Sequence, residues 1–109
     1  MGGIEVVDRG AREIVVFLTG DIDDETAEYM HAAVERVARL EELNALSHAV
    51  VDMHAVTHLG SAGIAFLREL SERGKNAGFE VSFSALSGPA HRAVEAAGWN
   101  FVWHSPPTV

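Results

Sequence analysis

Residues 50–67 restrict the possible folds more than any other part of the chain. Val50-Val51-Asp52-Met53 completes an apolar run, a loop follows, and Gly60-Ser61-Ala62-Gly63 leads into helix-period spacing at Ile64, Leu67 and Leu70. A short run that is apolar toward both faces reads as a buried strand. A strand that passes into a helix and is followed by another strand makes a crossover with parallel neighbours. Ser61 therefore stands where a helix begins.

The flanking segments support the same architecture. Residues 4–8 and 13–19 are strand-like and are joined by Arg9-Gly10-Ala11-Arg12, so they should pair as an antiparallel hairpin. In the second run Ile14, Val16 and Leu18 share one face while Val15 and Phe17 share the other, which places that strand inside the sheet. The period changes after Gly20-Asp21-Ile22. Asp23 or Asp24 caps a helix whose apolar face is Ala27, Met30, Ala33, Val34, Val37 and Leu40, extending to about residue 43. Residues 49–53 form the next strand, and the helix after Ser61 ends with Arg73, Lys75 and Gly78. Phe79, Val81 and Phe83 alternate with Glu80, Ser82 and Ser84, as in a strand near an edge with one wet face. Ser87-Gly88-Pro89 opens a last helix that Gly98 closes, residues 99–103 read as a closing strand, and an irregular tail follows.

The expected fold is a single small α/β domain over residues 1–104 with a C-terminal tail at 105–109. Its core is a mixed, mostly parallel sheet of about five strands with helices packed on it. At 109 residues, 48% of them hydrophobic and none cysteine, the chain can build one core without disulfides. Its net charge of −8 argues against nucleic acid, whose phosphates require lysine and arginine. An acidic surface can steer a basic partner. No apolar run approaches the roughly 20 residues that cross a bilayer, and no basic segment leads into an apolar one at the amino terminus. The expectation is a cytoplasmic protein without membrane insertion.

Three kinds of chemistry can be compared with the residues present. A nucleophile elbow needs glycine two positions before its serine, where Leu59 stands, and no aspartate follows Asp52 to orient His91 or His104. A phosphate-binding loop fails because Gly74-Lys75 is followed by Asn76 and preceded at the required spacing by Glu69. His54 and His58 lie beside Asp52 in an expected loop with no evident further ligands, so no metal is expected and no cofactor. Ser61 then either caps its helix or receives chemistry from another protein. Gly60, Ala62 and Gly63 would let a partner's backbone come close, and a phosphate on Ser61 would meet the free amides of a helix amino terminus.

Three segments resemble the STAS domain family, the anti-sigma factor antagonists and their relatives. They are residues 14–23 ending in Gly20-Asp21-Ile22-Asp23, residues 50–64, and residues 86–98. The resemblance implies that Ser61 is the phosphoacceptor, Gly63 the motif glycine and Asp23 the acidic residue of the neighbouring loop. It departs at Gly60, where the phosphorylated members usually carry aspartate. By the same resemblance the chain is a non-enzymatic anti-sigma factor antagonist that docks through Asp23, Gly60, Ser61, Ala62 and Gly63. Its partner would be an anti-sigma factor and serine kinase of the histidine-kinase-like ATPase type, with a serine phosphatase to reset Ser61. The alternative is an unphosphorylated interaction or scaffold module of a stress complex or transporter, and a third reading is a serine hydrolase.

Overall fold

The computed structural model describes residues 2–98. Strand β1 (Gly3–Gly10) turns into β2 (Glu13–Ile22) through Ala11 and Arg12, both at positive φ (53° and 64°). This is the two-residue turn whose twist matches a hairpin, and the two strands pair antiparallel. A single 3-10 turn, Asp24–Thr26, leads into α1 (Ala27–Asn44). The order then runs β3 (His48–Leu59), α2 (Ser61–Ala77), β4 (Glu80–Ser84) and α3 (Gly88–Ala96).

The strands lie in the order β1-β2-β3-β4, with β2 parallel to β3 and β3 parallel to β4. The mixed sheet therefore has four strands among the described residues, against the expected five or so. The anticipated closing strand at 99–103 and the tail at 105–109 lie outside the described residues. As expected, β2 is interior. Its Ile14, Val16 and Leu18 join Val51 and Met53 of β3, Phe83 of β4, Val34 and Val37 of α1, and Leu67 and Leu70 of α2 in one buried cluster. Ala90 and Val94 bring α3 into the same cluster. Val15 is buried outside that cluster, on the other face of the sheet, with Val7 and Val50 as its register partners.

Two sequence expectations need correction. The segment after Met53, expected as a loop, continues β3 to Leu59. The pairing with β2 shifts twice: Phe17 and Thr19 face Asp52 and Ala55, then Gly20 and Asp21 face Val56 and His58. Each shift inserts an extra residue into β3, so its buried positions fall at Val51, Met53, Val56 and Leu59 and lose the two-residue period. The second correction concerns β4, whose Ser82 is buried on the side expected to be wet. The imidazole of His48, on the adjacent strand, shares a 2.6 Å hydrogen bond with the Ser82 hydroxyl and so satisfies it.

The two long helices end differently. Gly78 follows α2 in the left-handed conformation (φ 91°), whereas Ala45 takes the same role after α1 (φ 51°, ψ 66°) and donates its amide to the Glu41 carbonyl at 2.8 Å. A Cβ in that conformation is strained. Ala45→Gly is expected to stabilise the protein by about 1 kcal/mol, read from the shift of the urea midpoint at unchanged slope.

Candidate functional site

The parallel pairing of β2 and β3 brings their carboxyl ends together, the place where open α/β sheets gather functional loops. Ile22 faces Leu59, and the Gly60 amide donates to the Ile22 carbonyl at 2.9 Å, carrying the ladder one residue further. From there the chain turns into α2, whose first backbone bond runs from the Ile64 amide to the Gly60 carbonyl at 3.0 Å. Ser61 is the first residue of α2 and is exposed.

Ser61 does not cap this helix. Gly60 holds the cap position, no side chain accepts a hydrogen bond there, and the first turn carries no acidic residue. The amides at the head of α2 thus keep their partial positive charge uncompensated by the helix's own side chains.

The loop from β2 supplies a carboxylate nearby. Asp23 caps the 3-10 turn by accepting from the Asp24 amide at 2.9 Å, while its own amide donates to the Thr26 hydroxyl at 3.0 Å. That hydroxyl donates in turn to the Asp23 carbonyl at 2.7 Å. Thr26 is buried, so this pair of bonds fixes the turn from inside. Thr26→Val keeps the shape and removes both bonds, and is expected to cost about 1–3 kcal/mol in denaturant unfolding.

The Asp23 side chain lies over Gly60. A Cβ at residue 60 would stand 2.5 Å from Asp23 Oδ1 and 2.8 Å from its Cγ. On its other side Asp23 Oδ2 is 3.5 Å from Nε2 of His58, with both side chains about half exposed. His58 pairs in register with Asp21, and polar atoms of Asp21, Asp23 and His58 come within 4.8 Å of one another. These three are the described residues whose donor atoms a cation could share, and all are open to solvent. His54 turns elsewhere: its Nδ1 lies 2.6 Å from Asp52 Oδ1. Four residues apart on an extended strand, His54 and His58 do not converge.

The sequence-derived residues divide by role. Asp23, Gly60 and Ser61 meet at one surface point. Ala62 lines a shallow groove of about 200 Å³ between α1 and α2, together with Ala27, Met30, His31, Ala65, Phe66 and Glu69. Gly63 is buried, and a Cβ there would lie 2.5 Å from Leu59 Cδ1 and 3.0 Å from the Ile22 carbonyl oxygen. It lets α2 sit down on the strand ends and takes no part in the surface. Sequence reasoning weighed His58 only with His54 and Asp52, in an expected loop, and missed its place beside Asp23 because the bulges of β3 disguised its strand; it also missed the groove, whose floor is Met30 and Phe66 from separate helices. The described hydrogen bonds give Ser61 no histidine partner of the kind a hydrolase needs.

The STAS domain sequence model matches residues 4–109. An anti-sigma factor antagonist from Mycobacterium paratuberculosis is similar in structure with a TM-score of 0.72 and 30% identity, covering 100% of this chain and 88% of its own. The anti-sigma factor antagonist SpoIIAA in its unphosphorylated form gives a TM-score of 0.74 at 10% identity, over 88% of this chain and 81% of its own. A part of SLC26A9 has the same fold, with a TM-score of 0.59 and 12% identity, over 89% of this chain and 20% of that one.

Proposed function

The chain belongs to the STAS domain family, and on that premise we propose that it is an anti-sigma factor antagonist acting by partner switching. In its unmodified form the surface around Asp23, Gly60, Ser61 and Ala62 docks an anti-sigma factor that is also a serine kinase of the histidine-kinase-like ATPase type, and the sigma factor is released. Phosphorylation of Ser61 ends the association, and a serine phosphatase restores it. ATP and magnesium belong to the kinase. The chain works as a binding module in the cytoplasm.

The observation that carries this reading is the position of Ser61: exposed, first in α2, ahead of a groove that Ala62 and Ala65 line over Met30 and Phe66, and unused as a cap. A phosphate there gains from the helix amides, so the fold tolerates it. It brings about −1.5 to −2 charges to a point flanked by the small residues Gly60 and Ala62, and a close-packed interface cannot desolvate that charge without a cationic partner. The site thus separates stability from binding.

The test mixes the chain with candidate anti-sigma kinases and ATP. Phosphate on Ser61, none on the Ser61→Ala variant, and loss of the complex on modification are expected. Absence of phosphate from the wild-type chain with every such kinase would sink the switch. A second reading, an unphosphorylated interaction module of a stress complex or transporter, is favoured by the Asp23 carboxylate, which a phosphate at Ser61 would meet as a like charge across Gly60. Co-purification with membrane subunits from the native host, with no phosphate-sized mass increment, would select it.

A further inference from the structure

Gly60 is not required by its backbone. Its φ of −87° and ψ of −174° are ordinary extended values open to any residue. What a side chain would displace is the Asp23 carboxylate, which occupies the volume where a Cβ would stand, with Oδ1, Cγ and Oδ2 at 2.5, 2.8 and 3.2 Å from it. The same carboxylate is held from two further directions, by the Asp24 amide on Oδ1 and by His58 Nε2 beside Oδ2. Asp23 therefore reaches across from the β2 loop and sets its charge against the backbone immediately preceding Ser61.

We propose that Gly60 is a specificity-determining residue: by lacking a side chain it seats the Asp23 carboxylate, steadied by His58, as the acidic group presented beside Ser61 to the protein partner. The inference rests on the partner-switching reading and deepens it. Asp23 and His58 are positioning residues for recognition of the serine. The charge that a neighbouring side chain could have supplied at residue 60 is delivered from another loop, so loop and helix head must be in register before the partner finds both serine and carboxylate. The partner surface it fits carries a basic side chain opposite Asp23 and none opposite Ser61, since a half-exposed carboxylate contributes most to steering and orientation when it meets a cation. Phosphorylated Ser61 would place a second anion beside this one and remove the match.

The test has a readout that needs no partner and one that does. Hydrogen exchange of the Asp24 amide, bonded to Asp23 Oδ1 at 2.9 Å, reports whether the carboxylate keeps its seat. Gly60→Ala should raise that exchange several-fold, because the new Cβ must displace the carboxylate. Association with the kinase that phosphorylates wild-type Ser61 is then followed as a function of salt. Gly60→Ala and Asp23→Ser should each weaken binding about tenfold and flatten its salt dependence, a change that a purely structural role would not produce. Asp23→Ser keeps a capping residue while withdrawing the carboxylate. The double variant Gly60→Asp/Asp23→Ser, which returns a carboxylate from residue 60 itself, should recover most of the affinity and the salt dependence. Unchanged Asp24 exchange in Gly60→Ala, or altered exchange with undiminished binding, overturns the inference while leaving partner switching intact. Wild-type chain that no anti-sigma kinase phosphorylates overturns both.

Discussion

Ser61→Asp is expected to weaken the proposed complex with an anti-sigma kinase by about a hundredfold or more, close to 3 kcal/mol, while leaving the domain folded. The two effects part because the same charge meets two different environments. Within the chain, a carboxylate at the first position of α2 faces the positive end of a helix whose first turn carries no acid, an arrangement that favours anions by about 0.3–1 kcal/mol. The nearby Asp23 carboxylate opposes that gain, so the net stability change should stay below about 1 kcal/mol. At the interface, the charge sits at the close approach that Gly60 and Ala62 permit and must be desolvated there. Ser61→Ala removes no described hydrogen bond and should bind like the wild type. Calorimetric titration against the kinase loaded with a non-hydrolysable ATP analogue, so that wild-type Ser61 stays unmodified, with urea unfolding of the same samples, checks both halves. Wild-type affinity in Ser61→Asp would remove Ser61 from the interface.

Much of this arrangement can be read from the residues where local pattern and tertiary context agree. Residues 14–18 are apolar toward both faces and do form an interior strand, since only a strand with neighbours and layers around it can bury Ile14, Val15, Val16 and Leu18 together. Ser87, Gly88 and Pro89 announce the start of α3, and Ser87 accepts there from the Ala90 amide at 3.2 Å. Disagreement arises where one strand's pattern depends on its neighbour. The bulges of β3 exist only in its pairing with β2, so residues 54–59 lose the alternation that would mark them as strand. The burial of Ser82 likewise depends on an imidazole from the adjacent strand.

The candidate site shows the same division. Its serine, its small neighbours and Asp23 stand out in the sequence, the last through a family likeness. That Asp23 occupies the space of a missing Cβ, with His58 at its back, follows from β2–β3 register and has no local signature. The likeness also assigns Gly60 and Gly63 alike to the docking surface. Their surroundings separate them.

Gly63→Val is expected to destabilise the protein by more than about 3 kcal/mol, and even Gly63→Ala by about 1–3 kcal/mol. Helix propensity alone predicts the opposite sign, since alanine is favoured over glycine in a helix by roughly 1 kcal/mol. Packing overrides it. A Cβ at residue 63 meets Leu59 Cδ1 at 2.5 Å, Ile22 Cγ2 at 3.0 Å and the Ile22 carbonyl oxygen at 3.0 Å. Leu59 and Ile22 are both buried, and the Ile22 carbonyl already accepts the Gly60 amide, so neither the apolar contacts nor the backbone can give way without lifting α2 from the strand ends. Valine adds two methyl groups to that collision and a branched Cβ in the first turn. Gly60→Ala offers the control: its Cβ strikes a flexible, half-exposed carboxylate, so stability should change by less than about 1 kcal/mol even as recognition suffers. Urea midpoints of the three variants measured together decide the matter. Wild-type stability in Gly63→Ala would mean that α2 does not rest on Ile22 and Leu59, and the seat beside Ser61, built from the same two strand ends, would fall with it.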